Sequence, residues 1–130
     1  MSNDEQAIRD VVALWHKATA ERDVETVLGL MDEDVVFLIP GNAPMRGRAE
    51  FARGLRQVFT GHRIESRWDI QEVAISGDLA YCWTNLEVSM IPLADGKRTV
   101  RSGSALSIFR EQAPGSWLLL RDANLLTQAG

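Results

Sequence analysis

The chain has 130 residues, 45% of them hydrophobic and 25% charged, the balance of one globular domain whose core needs no metal or disulfide staple. Its net charge of −4, with no basic run, argues against nucleic acid or an anionic membrane surface as the main partner. One cysteine, Cys82, excludes an internal disulfide and, in its apolar run, reads as a packed, inert thiol.

No apolar run reaches membrane-spanning length, and the opening Met1-Ser2-Asn3-Asp4-Glu5 lacks the basic start and apolar block of a secretion signal. A cytoplasmic location is therefore expected. The first helix is expected from near Asn3. Ser2 and Glu5 have capping-box spacing, and Asp4 and Glu5 suit the positive end of a helix dipole. Ile8, Val11, Val12, Trp15, Ala18 and Thr19 recur at helical spacing and form an inward stripe, with Arg9, Lys17 and Glu21 facing out. Arg22-Asp23 breaks the pattern. Asp23 caps a shorter second helix carrying Val24, Val27, Leu28 and Met31, which Asp32-Glu33-Asp34 ends. Residues 35–39 form a strand by their β-branched and aromatic content. Residues 40–44 form a loop. Gly47 then precedes a third helix with Phe51, Leu55, Val58 and Phe59 on its inner side, closed by Gly61.

From Arg63 the period changes to two. Ile64, Ser66, Trp68 and Ile70 alternate with Arg63, Glu65, Arg67 and Asp69, and the apolar phase then slips to Val73 and Ile75, the mark of a bulge near Gln71-Glu72. Ser76-Gly77-Asp78 turns the chain into a long strand over residues 79–91. Tyr81 and Trp83 lie on one face of it, Cys82, Leu86, Val88 and Met90 on the other. Asp95-Gly96 is a hairpin signal leading to a strand over residues 100–109. Residues 113–116 turn again into the last strand, where Trp117, Leu118, Leu119 and Leu120 are followed by Arg121 and Asp122. Alternation groups Leu118, Leu120, Asp122 and Asn124 on one face, and Trp117, Leu119, Arg121 and Ala123 on the other. Asp122 thus follows two leucines into an apolar layer with Arg121 pointing away. It must find another partner, reach water, or keep its proton.

Helices first and an antiparallel meander afterwards define an α+β domain with three helices on one face of the sheet. The last strands are apolar on both faces, and Trp117 and Leu119 need a cover of their own. A homodimer through the outer face of the sheet is the expected cover.

This order of elements, with Ala20-Glu21-Arg22-Asp23 between helices, Met31-Asp32-Glu33-Asp34-Val35 leading into the first strand, Met45-Arg46-Gly47-Arg48 before the third helix, and Trp117 through Leu126 at the end, resembles the nuclear transport factor two-like superfamily. That group includes ketosteroid isomerases, SnoaL-like polyketide cyclases and the SgcJ/EcaC branch, which the closing motif resembles most. The resemblance implies a curved antiparallel or mixed sheet wrapped on the three helices, a cystatin-like α+β cone with an internal pocket, commonly dimeric. It does not carry ketosteroid isomerase chemistry. The position of that family's base, before the proline after the first strand, holds Ile39; its helix-one tyrosine falls at Trp15; its second acid falls at Ala105. The cyclases place an acid/base Asp on the last strand, and Asp122 matches that position.

Asp122, Asn124 and Tyr81 are accordingly the candidate catalytic set. Asp122 in a dry hollow is a proton shuttle. Paired instead with Arg98 or Arg101, or with amides near Asn124, it is structural. Asn124 orients a carbonyl or closes the strand, and Tyr81 polarises a carbonyl if it points inward. Trp15, Thr19, Trp68, Trp83, Phe37 and Phe59 are the candidate binders of a small apolar or aromatic ligand, the alternative being plain core. His16 flanks either the pocket or a partner, and His62 caps the third helix or is solvated. No metal, nucleotide or nicotinamide motif occurs, and no cofactor is expected. Three functions follow: a cofactor-independent isomerase, cyclase or dehydratase acting through Asp122; a ligand-binding or accessory module; or a dimerisation domain with a filled cone.

Overall fold

The structure, a computed structural model, describes residues 3–128. The Ser2 half of the expected capping box lies outside them. Helix α1 (Asn3–Ala20) buries Ile8, Val12, Ala18 and Thr19. It ends in a Schellman turn, with Asp23 N–H donating to Ala18 O at 2.9 Å and Arg22 N–H to Thr19 O at 3.1 Å. The left-handed position of that turn is Arg22, at φ 60°, where glycine is the usual occupant. Its side chain compensates: the guanidinium donates to Phe59 O and lies 5.7 Å over the Phe59 ring. Asp23 caps α2 (Val24–Leu28) by accepting from Thr26 N and Thr26 Oγ1.

Met31 and the acidic triplet belong to strand β1 (Met31–Leu38) rather than to the end of α2. The reason is tertiary: β1 runs parallel beside the last strand, with Met31 opposite Leu119 and Phe37 opposite Asp122. Met31 and Val35 are fully buried while Glu33 and Asp34 face water. A short β2 (Met45–Arg46) pairs back on β1. Gly47, at φ 88°, starts α3 (Arg48–Phe59), which buries Ala52, Leu55 and Phe59.

The meander consists of β3 (His62–Ser76), β4 (Leu79–Pro92), β5 (Thr99–Ala113) and β6 (Ser116–Asn124), with β7 (Thr127–Gln128) added beside β5. The sheet order is β2-β1-β6-β5-β4-β3. It is antiparallel except where β1 meets β6, so the sheet is mixed. The register between β3 and β4 jumps from Ile70 to Glu72, the bulge expected near Gln71-Glu72. A second bulge was not expected. Between β5 and β6, Ile108 faces Arg121 and Phe109 faces Leu119, which leaves Leu120 as the extra residue.

This second bulge corrects the face assignment of the last strand. Trp117 and Leu119 point into the core, 3% and 4% exposed, and Trp117 Nε1 donates to Asp4 Oδ1 on α1 at 3.2 Å. The phase shifts at Leu120, so that Asp122 shares the inner face with Leu119. Trp117 and Leu119 therefore need no partner to cover them. Exposed apolar residues of the outer face include instead Leu79, Tyr81, Trp83 and Leu106. Gly103, at φ 154°, lies where the chain after β6 crosses β5. A Cβ there would stand 2.6 Å from Leu125 O.

Candidate functional site

The inner faces of β4 and β5 carry small side chains in register. Cys82, Ser107 and Asp122 form one cross-strand row, and Thr84, Ala105 and Asn124 form the next. Side chains of this size cannot reach the helix above them, and a void remains where larger residues would fill the layer. It is a cavity of ≈ 80 Å³, walled by Val11, Val12, Trp15 and His16 of α1 and by Thr84, Leu86, Ala105, Ser107, Phe109, Leu119 and Asp122 of the sheet.

Burial pushes the Asp122 carboxyl from its ordinary 3.8 up to about 6, although the hydrogen bond from Ser107 works the other way. Ser107 Oγ donates to Asp122 Oδ1 at 2.6 Å. Among the described residues no Lys or Arg forms an ion pair with the carboxylate: Arg98 bonds Glu65 at 3.3 Å, and Arg121 donates to the carbonyls of Asp34 and Leu120. Across the cavity, burial depresses His16 to about 4, so its imidazole is neutral at physiological pH. The ring stacks on Trp68 with centroids 4.5 Å apart. Cys82, at the β4 end of that first row, is fully buried, and burial raises its thiol pKa against the opposing hydrogen bond with Thr84. It is the packed, inert thiol expected.

The structure brings together only part of the expected set. Asp122 and Trp15 line the cavity. Tyr81 and Trp83 do not: they alternate to the outer face, and Tyr81 OH donates to Glu72 Oε1 at 2.7 Å. Asn124 closes its strand by accepting from Leu126 N–H at 3.3 Å. Thr19 is buried and donates to Trp15 O at 2.7 Å. Phe37 stacks on Phe51 at 4.4 Å, and Phe59 is buried under Arg22; both are core. Trp68 covers the outside of His16 without reaching the cavity wall. Ser107 and Thr84 were missed, although small residues at period two (Gly103, Ala105, Ser107) are a legible sign of room beneath a helix. Among the described residues no cluster of His, Cys, Asp and Glu is arranged to hold a metal.

Helices packed on a curved mixed sheet in a cone-like α+β arrangement define the nuclear transport factor two-like fold. The SnoaL-like domain profile matches residues 11–113, and the chain belongs to that family. A conserved protein from Planctomyces limnophilus is similar over 97% of this chain and 98% of its own, with 38% identity and a TM-score of 0.92. A ketosteroid isomerase-like protein from Erwinia carotovora atroseptica is 24% identical over 96% and 95% of the two chains, with a TM-score of 0.80. A nuclear transport factor two-like superfamily protein from Salmonella enterica shares the fold at 11% identity, over 98% and 92%, with a TM-score of 0.81. No protein of curated function matches the chain.

Proposed function

We propose that this chain is a cofactor-independent enzyme that moves a proton on a small apolar carbonyl compound, as an isomerase, cyclase or dehydratase does, with Asp122 as the acid/base. The observation that carries the reading is the carboxyl itself. It stands in an apolar cavity wall with a pKa lifted to about 6, near enough to neutrality to accept and return a proton. Its Oδ1 is held by Ser107, which fixes the group in the cavity wall. Membership of the SnoaL-like family, whose cyclases place an acid/base Asp on the last strand, supports the reaction class, and the closing motif supports the SgcJ/EcaC branch. Asp122→Asn tests it, by removing turnover while leaving fold and ligand affinity intact.

One observation favours a second reading, a ligand-binding or dimerisation module without turnover. Trp15, Phe37 and Phe51 pack ring against ring, and ≈ 80 Å³ is small beside the roughly 300–1,000 Å³ of drug-sized ligand sites. Under that reading Asp122→Asn shifts affinity slightly, and wild type never turns over a substrate. We also propose a homodimer through the outer sheet face, supported by Leu79, Tyr81, Trp83 and Leu106 exposed together on β4 and β5. Sedimentation as a monomer at all concentrations would remove it.

A further inference from the structure

Four hydroxyl or titratable side chains line the cavity, His16, Thr84, Ser107 and Asp122, and the last three each take part in a hydrogen bond within the protein. Ser107 gives its proton to Asp122, and the Thr84 hydroxyl lies 3.4 Å from Cys82 Sγ. Backbone groups of β4, β5 and β6 on the floor belong to the ladders between those strands. His16 is different. Among the described residues its imidazole has a stacking partner, Trp68, at 4.5 Å and an interplanar angle of 26°, and no hydrogen bond. The stack covers one side of the ring, and His16 itself lines the cavity, where its N–H can donate to a bound group.

We propose that His16 is a catalytic residue whose N–H binds the carbonyl oxygen of a compact, uncharged ketone- or aldehyde-like substrate while Asp122 takes the proton from the adjacent carbon. This rests on the proton-transfer reading above and adds to it the group that receives the carbonyl oxygen. The two groups stand on opposite layers, His16 on α1 and Asp122 on β6, so a ligand between them meets one at each end. In the step, the C–H bond breaks and its proton goes to the Asp122 carboxylate. The C–H electron pair becomes the C=C bond of an enolate, and the carbonyl π pair moves onto the oxygen facing His16. Return of the proton, to the same or a conjugated carbon, restores the carbonyl and the carboxylate. A neutral imidazole suits this task better than a cation. Imidazolium beside Asp122 would hold the carboxylate ionised and weaken it as a base, whereas burial keeps His16 uncharged. No Lys or Arg lines the cavity, so a carboxylate or phosphate on the substrate would face Asp122 uncompensated.

The test uses the full chain and cyclohexanone as probe, in deuterated water, with α-deuteration followed by NMR. Wild type is expected to exchange the probe faster than buffer, and Asp122→Asn to lose that rate. His16→Phe keeps the stack on Trp68; it is expected to bind the probe but exchange about 10²–10³-fold more slowly, the usual effect of removing one oxyanion donor. His16→Gln, which restores an N–H, recovers part of the loss. Independently, the His16 ring 15N resonance moves on adding the probe, and the bound carbonyl stretch shifts to lower wavenumber in wild type and in Asp122→Asn but not in His16→Phe. Exchange that depends on Asp122 but not on His16 overturns the His16 assignment and leaves the proton-transfer reading standing. A His16-dependent carbonyl shift without exchange overturns that reading and retains the binding half of the site. No binding, with a static His16 resonance, overturns the substrate class.

Discussion

The two faces of β4 and β5 alternate residue by residue along the same backbone, yet they are built on opposite rules. Inward, Cys82, Thr84, Ala105 and Ser107 are short, and the layer stops before it meets α1. Outward, Tyr81, Trp83, Leu106 and Ile108 are large, and Tyr81, Trp83 and Leu106 lie more than a third exposed. One face withholds volume where a core would normally supply it, and the other presents volume where a monomer would normally be polar. The difference teaches that apolar content alone does not locate a site in such a sheet. The hollow is where side chains become small, not where they become aromatic.

The strongest way to break the inner face is Asp122→Asn. Steady-state turnover on any substrate found should fall by about 10³-fold, within the range for losing a general acid/base, with affinity nearly unchanged. The same variant sharpens the comparison through stability. In the folded chain Asp122 holds its proton up to about pH 6, against an ordinary 3.8, so its charge costs stability above pH 6 and the cost disappears on acidification toward 3.8. At pH 8, Asp122→Asn is expected to be more stable than wild type by on the order of 3 kcal/mol, since each pKa unit is worth about 1.4 kcal/mol. Urea titration measures it. His16 has the opposite sign. Its pKa is lowered from 6.5 to about 4, so it costs stability as pH falls through that window. The two slopes offset each other in wild type. Relative to wild type, the Tm of Asp122→Asn should drop more steeply between pH 7 and 5, and that of His16→Phe should rise.

Gly103→Ala attacks the inner face at its edge. A Cβ 2.6 Å from Leu125 O, at φ 154°, forces the terminal crossing to move, and a loss of about 2–3 kcal/mol is expected in denaturant titration. The outer face is sharpened by Trp83→Ser. It should weaken self-association by about 30-fold, roughly 2 kcal/mol, the size of a buried Trp anchor, while turnover stays as in wild type. Concentration-dependent sedimentation reads the first effect and the activity assay the second.

Much of this was legible from residue order. The meander, the Asp23 cap and the bulge at Gln71 all carried local marks, because a polar pair at the slip point interrupts the apolar phase visibly. The bulge at Leu120 carried none. Leu119 and Leu120 are both apolar, so a phase change between them leaves the pattern untouched, and it moved Trp117 and Leu119 to the inner face with Asp122. For the same reason Asp122 was recognised as an acid in an apolar layer, but with the wrong neighbours. Tyr81 and Trp83 were credited to the pocket on chemistry, although their alternation with Cys82 had already set them on the other side. The acidic run of β1 was hidden because a parallel neighbour, not local propensity, makes it a strand. His16 escaped full notice because a helix stripe shows only which residues lean inward, not which of them meets empty space.

Arg22 has a consequence of a different kind. One guanidinium both excuses the awkward backbone that ends α1 and occupies a carbonyl in the last turn of α3, so two helices far apart in the chain share a single latch. The segment joining α1 to α2 therefore has its length set by that latch. Added residues there would release the roof from its far corner, whereas the hairpin around Gly96, with open space about it, is where this chain can lengthen at little cost.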